Sequence, residues 1–314
     1  MKNIHTLHAV GERQLIRLLS AAGPMDDPRV RVGPGDDAAV IAGRTGMDLV
    51  LKCDAVVEGI HFLPDTDPVR VGHKAVGRVL SDFAAMGAHP RYLLVSLAAT
   101  PETRVSRIQS IYRGLRKLAA AHGCAVVGGE TVQASQLALH VFGLGETPRN
   151  RALRRDTARP GDVLFVTGAL GGSRAGRHLT FQPRVAEGVW LLAGRWATAA
   201  IDLSDGLATD LRHLVHASGV GADLDPGRIP VAPAARHTND GLTAVEHALR
   251  DGEDFELLFT VRRTRVPALI KAWRRAFKTP LTAIGAITRA PGIRLRAVGH
   301  PVQHLVIGGY EHFM

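Results

Sequence analysis

The chain has little cysteine and little aromatic surface: Cys53 and Cys124 are its two thiols, and Phe, Trp and Tyr make up 5% of its 314 residues. Two cysteines exclude a disulfide framework and suit a reducing compartment, so both are expected as free thiols and the chain as cytoplasmic. No apolar run approaches the ~18 residues that a membrane span requires. The segment from Met1 to Arg17 carries His, Glu and Arg where a signal peptide would have its apolar core. No membrane partner is expected. Lysine is scarce as well, with six residues against 33 arginines in a net charge of +10. A surplus of that size can attract nucleic acid. These arginines are scattered, however, with at most two adjacent, and aromatics for stacking bases are few. Nucleic acid is therefore not expected as a partner in spite of the charge.

The common phosphate and metal signatures are also missing. There is no Gly-x-x-x-x-Gly-Lys-Ser/Thr, no Gly-x-Gly-x-x-Gly, and no protein-kinase catalytic loop. The 15 histidines form no His-Glu-x-x-His and the cysteines no Cys-x-x-Cys, which argues against zinc. What the chain does have is a recurring theme: a carboxylate that closes a short apolar segment beside small residues. It occurs at Gly35-Asp36-Asp37, Asp54, Ser81-Asp82, Gly129-Glu130 and Ile201-Asp202-Leu203-Ser204-Asp205-Gly206-Leu207. One such Asp is an ordinary helix cap or turn former. Five together would repel one another unless a cation neutralised them, and hard oxygen ligands are what Mg²⁺ takes while it also binds phosphates. The pattern predicts a magnesium–phosphate site. The loop Gly168 to Gly176 follows a strand and is either an anion-facing turn or merely a tight one.

Hydrophobic periodicity alternates between strand and helix. Strands are expected over Leu49–Cys53 (ending at Asp54), Tyr92–Ala98, Ala125–Val127 (stopped by Gly128-Gly129) and Leu137–Gly143, with helices over Val69–Gly87 and Val105–His122. Residues 146 to 161 are polar and rich in breakers, as a linker is. Beyond it come strands Val163–Val166, Ala199–Leu203, Phe255–Val261, Leu281–Ile287 and Val302–Ile307, with helices Val189–Trp196, Leu207–Ala217 and Val266–Phe277. This order predicts an α+β protein of two α/β domains, residues 1–148 and 149–314.

Taken together, the motifs resemble those of the thiamine-monophosphate kinases. The similarity is carried by Gly35-Asp36-Asp37-Ala38-Ala39-Val40, Asp54-(x)₃-Glu58-Gly59-Ile60-His61-Phe62, Leu80-Ser81-Asp82-Phe83-Ala84-Ala85-Met86-Gly87-Ala88, Gly128-Gly129-Glu130-Thr131, Arg159-Pro160-Gly161-Asp162, the Ile201 to Leu207 segment and Gly252-Glu253-Asp254-Phe255-Glu256-Leu257. It runs from about Gly11 to Tyr310. The resemblance implies the fold of aminoimidazole ribonucleotide synthetase, with N-terminal strands paired across a homodimer. It also implies Mg²⁺-dependent phosphoryl transfer from ATP to thiamine monophosphate. Position by position, Asp37, Asp54, Asp82, Glu130, Asp202 and Asp205 match the metal ligands, and Asp37, Asp82 and Asp205 with Arg151 match the reacting centre. Tyr112, Gly129, Glu130, Arg151 and Ser204 match nucleotide contacts, and His61, Glu253 and Tyr310 match contacts to the thiamine side. Selenophosphate synthetase and the hydrogenase-maturation relative both need a reactive cysteine in a place where this chain has none. Aminoimidazole ribonucleotide synthetase itself lacks Glu58-Gly59-Ile60-His61-Phe62. A non-catalytic basic binding protein on the same scaffold is the alternative of a different class.

Three positions depart from that family's pattern: Lys52-Cys53 where Ser-Thr is usual, Glu130 for Asp, and Asp251-Gly252 for Gly-Gly. A protonated lysine cannot ligate a metal. Lys52 is read either as a cation that partly substitutes for a metal, with the longer Glu130 reaching across to balance it, or as a bystander that faces away.

Overall fold

The computed structural model describes residues 14–16, 27–43, 46–238, 240–297 and 301–305. Tyr310 and the end of the strand expected over Val302–Ile307 lie outside these residues. Among the described residues, the N-terminal half forms a six-stranded sheet in the order β1-β2-β3-β6-β4-β5. Its strands are β1 (Val30–Val32), β2 (Ala39–Ala42), β3 (Met47–Val57), β4 (His89–Ala99), β5 (Ala125–Gln133) and β6 (Ala138–Pro148). Helices α1 (Pro68–Ala85) and α2 (Val105–Ala121) cover one face. The chain then crosses to a seven-stranded sheet in the order β13-β12-β9-β11-β7-β10-β8. That sheet comprises β7 (Val163–Thr167), β8 (Ala199–Asp202), β9 (Gly221–Leu224), β10 (Leu257–Val261), β11 (Leu281–Thr288), β12 (Gly292–Leu295) and β13 (Gln303–His304). Its helices are α3 (Val185–Ala193), α4 (Leu207–Ala217), α5 (Ala244–Arg250) and α6 (Val266–Ala276).

The period-two alternation of β7 explains how the halves meet. Phe165 packs into the first core with Phe259, Val261, Trp273 and the α1 residues, whereas Leu164 and Val166 face the second core with Ile201, Leu211 and Leu258. The central element is α1. Asp67 caps it by accepting the Val69 N–H at 2.9 Å, Pro68 starts it, and its apolar residues are buried from Val71 to Ala85. It lies unusually close to α2: a Cβ at Gly72 would stand 1.9 Å from the Ile111 carbonyl oxygen, and one at Gly114 would stand 1.9 Å from that of Val69.

The structure corrects several sequence expectations. β3 does not end at Asp54 but runs on to Val57, and β5 continues through Gly128-Gly129 by means of a register shift against β4. α3 begins four residues before the expected helix. Strands β1, β2, β9 and β12 and helix α5, three to seven residues each, were too short to give a periodic signal. β3 and β4, too apolar for free edges, are interior strands paired on both sides. The sheet has an open face on which Leu51 of β3, Tyr92 and Leu94 of β4, Val127 and Val132 of β5 and Phe142 of β6 are exposed. No helix among the described residues is long and apolar enough to cross a membrane.

Candidate active site

Three elements bring the acids together. Residues alternate faces along β3, so Lys52 and Asp54 fall on the same side as the buried Val50 and Val56. The helix α1 crosses that side and contributes Arg78, Ser81 and Asp82. β8 ends at Asp202, whose carboxylate accepts the Ser81 hydroxyl at 2.7 Å. Asp37, just before β2, completes a set in which Asp37, Asp82 and Asp202 offer oxygens all within 4.8 Å of one another. All three are buried. Asp37 Oδ2 has no hydrogen-bond partner.

Part of this negative charge is met by the protein itself. Lys52 Nζ lies 3.0 Å from Asp82 Oδ1 and 3.9 Å from Asp54 Oδ2. Arg78 lies 3.6 Å from Asp54, and Arg155 donates to Asp37 Oδ1 at 2.5 Å. Burial tends to raise Asp54, but Lys52 and Arg78 outweigh it and hold that carboxyl below its usual range. Burial pushes Asp82 well above the carboxylate range, and Asp54, Asp202 and Asp37 add to the rise against the pull of Lys52. Asp202 is raised by burial and then by Asp37. A divalent cation among these oxygens would restore the ionised forms, and the orphaned Asp37 Oδ2 is an atom that would gain a partner. The donor set is all oxygen, which suits Mg²⁺.

Asp205 is not part of that triad. Its carboxylate clusters with Asp210 and His213, again with atoms within 4.8 Å, while its N–H donates to Asp210 Oδ2 at 3.0 Å. Burial, then Asp205 and Asp202, push Asp210 well up, so the two clusters lie close enough to repel. Sequence reading missed Asp210 and His213. Their three-residue spacing on one face of α4, immediately after Asp205-Gly206-Leu207, was the available signal.

The residues matched to the thiamine side meet through another missed residue, Lys74, which is fully buried. Its ammonium donates to the His61 carbonyl at 2.7 Å and lies 2.5 Å from Glu253 Oε1. His61 Nδ1 accepts the Val57 N–H at 3.1 Å, which leaves Nε2 to carry the ring proton. Arg78, 3.8 Å from Glu253, links this corner to Asp54 and hence to the acid triad. Glu253 itself sits at φ +65°, with its N–H donating to the Ser204 carbonyl at 2.7 Å.

The glycine-rich loop does not present its central amides to solvent. Gly171 N–H donates to Asp254 (2.9 Å to Oδ2) and Gly172 N–H to Asp251 (2.7 Å). Asp254 is paired with Arg177 and Glu256 with Arg184. Within Gly252 to Leu257, Glu253 therefore turns to the site while Asp254 and Glu256 anchor the loop.

The matched nucleotide contacts are more dispersed. Tyr112 is half-buried on α2 beside Arg116. Gly129 and Glu130 are on the edge strand β5, where a Cβ at Gly129 would stand 1.8 Å from the Val95 carbonyl oxygen, so glycine there is a packing requirement. Glu130 is exposed and accepts the Thr131 N–H at 2.8 Å. Lys52 faces inward and is paired with Asp82 and Asp54, so it is not a bystander that faces away, and the acids that balance it are these two and not Glu130. Arg151 lines a separate cavity, and the arginines placed against the acids are Arg78 and Arg155.

The family model for the AIR synthase related protein, N-terminal domain, matches residues 35–147. The thiamine-monophosphate kinase of Salmonella typhimurium is 37% identical, over 90% of this chain and 92% of its own length. A solved structure of AaThiL complexed with AMPPCP and TMP superimposes with a TM-score of 0.84 at 30% identity, covering 98% of both chains. That of thiamine-monophosphate kinase from Stenotrophomonas maltophilia does so at 0.74 and 33% identity, covering 90% and 94%. With an acid cluster at the meeting of two AIR-synthase-like sheets and this likeness over nearly its whole length, the chain is a kinase that belongs to the thiamine-monophosphate kinase family.

Proposed function

We propose that the chain transfers the γ-phosphoryl group of ATP directly, in line, to thiamine monophosphate, giving thiamine diphosphate, with Mg²⁺ held by its aspartates. The observation that carries this reading is the buried triad Asp37, Asp82 and Asp202 with its unpartnered Asp37 Oδ2. The relative that binds AMPPCP, an ATP analogue, together with TMP supports the choice of substrates.

Asp37, Asp82 and Asp202 would hold one magnesium position, and Asp205 with Asp210 a neighbouring one. Bound there, Mg²⁺ neutralises phosphate charge and helps to align the two phosphates. The acceptor oxygen belongs to a phosphate whose second pKa is about 6, so it is already ionised at neutral pH and needs no general base. His61 at the site is fixed by the Val57 N–H, and His213 lies beside Asp205 and Asp210. Catalysis then rests on bringing two polyanions together. Lys52, Arg78 and Arg155 supply fixed positive charge around the acids. Lys74 orients Glu253 and the His61 segment for the thiamine side, where Tyr310 would join them. Tyr112, Gly129, Glu130 and Ser204 are proposed nucleotide contacts, and Arg155, which stands against Asp37, takes the part at the reacting centre that the resemblance gave to Arg151.

We assign residues 1–148 and 149–314 to the two domains and expect a homodimer closed over the open face of the six-stranded sheet, because its exposed apolar side chains are unusual for a free surface. The test is an ATP-dependent assay for thiamine diphosphate across a Mg²⁺ series and a panel of phosphorylated acceptors. Absence of thiamine diphosphate at saturating ATP, Mg²⁺ and thiamine monophosphate would reject the assignment.

A further inference from the structure

A second concentration of charge lies at the other end of β8. Asp202 closes that strand, and Thr198 precedes its first residue, four residues or ~13 Å away. Around Thr198, the segment after β6, the residues after α3 and the turn after β10 enclose a cavity of about 540 Å³. Six arginines line it, Arg151, Arg154, Arg159, Arg195, Arg262 and Arg265, and among the described residues no carboxylate does, Asp162 standing behind Thr198 as the acceptor of its hydroxyl. The volume lies in the range of small-molecule sites.

Two details indicate a site rather than a chance gathering of surface arginines. Arg265 is held in place without being neutralised: its guanidinium lies 4.3 Å over the Trp196 ring, and it donates to the carbonyls of Arg195 and of Gly194, the latter at 3.2 Å. Arg154 has one carboxylate partner, Asp156, yet its Nε is buried with no hydrogen-bond partner at all. Arginines gathered around one cavity repel one another, and a buried N–H without an acceptor is costly. An anion inside the cavity relieves both, and the guanidinium fork matches phosphate oxygens in pairs. Trp196 cannot stack a base as well, because Trp190 lies parallel to its ring at 5.5 Å and Arg265 also packs over it. Recognition there is by charge.

We propose that this cavity binds a small, multiply charged phosphate chain, the chemistry shared by inorganic polyphosphate and nucleoside triphosphates, at a place distinct from the phosphoryl-transfer site. A small ligand is favoured over nucleic acid because the arginines line a concavity instead of following a stripe.

The experiment is calorimetric titration of the full-length chain with inorganic tripolyphosphate in EDTA, where the cation-free acid cluster repels polyanions. Saturable binding of one tripolyphosphate per chain is expected, at least tenfold weaker in the double variant Arg195→Glu/Arg262→Glu and unchanged in Asp82→Asn. Both arginines are exposed, and retained thiamine monophosphate kinase activity or an unchanged near-ultraviolet circular dichroism spectrum shows that the double variant folds. ATP should compete with tripolyphosphate for the same site, which assigns binding to the phosphate chain, and sulfate should not. No saturable binding, binding indifferent to the double variant, ATP that binds without competing, or equal competition by sulfate would each overturn the proposal. So would a DNA duplex that binds more tightly per phosphate with the same sensitivity to Arg195 and Arg262.

Discussion

Replacing Lys52 with methionine keeps the apolar stem and removes the ammonium from among Asp54 and Asp82. At an effective dielectric constant of 20, the 3.0 Å contact with Asp82 corresponds to a gross attraction of about 5.5 kcal/mol. The 3.9 Å approach to Asp54 corresponds to about 4.3 kcal/mol. Desolvation of the ammonium offsets a large part of this, and removing one partner of a buried ion pair typically leaves a loss of about 3–5 kcal/mol. The loss should be full at pH 8 in EDTA, where protonation of Asp82 does least to absorb it. With Mg²⁺ present it should shrink by more than half, because a divalent cation can then meet the carboxylates that the ammonium served, and ligand binding to the folded state adds stability. Urea unfolding followed by tryptophan fluorescence, with and without Mg²⁺, measures both quantities. The same loss with and without Mg²⁺, or no loss in EDTA, would refute the view that Lys52 acts as a resident cation. The companion variant Lys52→Ser should also raise the Mg²⁺ concentration needed for half-maximal rate.

Asp202→Asn should reduce kcat/KM by at least about 10³, an effect of ~4 kcal/mol on the transition state, while the apo protein keeps or gains stability, since burial and Asp37 already disfavour the charged form of Asp202. A destabilised apo protein would show that Asp202 is structural. His247 lies between Asp251 (3.1 Å) and Asp240 (3.2 Å); burial lowers its pKa, but these carboxylates outweigh it and leave the folded value above 6.5. The stabilisation is thus fully present below pH ~6.5 and lost as pH rises through the folded pKa, so the stability gap between the parent and His247→Gln should narrow with rising pH; a gap independent of pH would contradict this. Light scattering should give twice the 33.6 kDa chain mass, and Leu94→Glu on the open sheet face should yield monomer; a monomeric parent would exclude the homodimer.

The long elements were legible in the sequence because each carries several turns or pleats of periodic signal. Leu207–Ala217 was placed to the residue and Val105–His122 to within one. The missed elements are short. The two glycines in β5 misled because glycine reads as a stop, whereas here Gly129 is what lets the strand pass the Val95 carbonyl. Carboxylates were visible as motifs, but their grouping was not. Nothing local tells that Asp82 meets Asp202 and not Asp205, since that depends on α1 crossing from β3 to β8.

The residues that sequence reading missed at the site are mostly cations. An aspartate beside glycine at a strand end stands out, whereas Lys74 or Arg78 inside an amphipathic helix looks like any solvated basic residue until the helix is packed. Lys52 shows the same limit from another direction. Neighbours along a strand do alternate, but the deciding comparison is with Asp54 two residues on, which must share a face with Lys52. Once both face inward, burial decides the chemistry: a lysine there cannot leave without taking from buried Asp82 its ion-pair partner and from Asp54 one of two. The departure from the family's usual Ser-Thr therefore changes how charge is balanced at the centre of the site and leaves its aspartates in place.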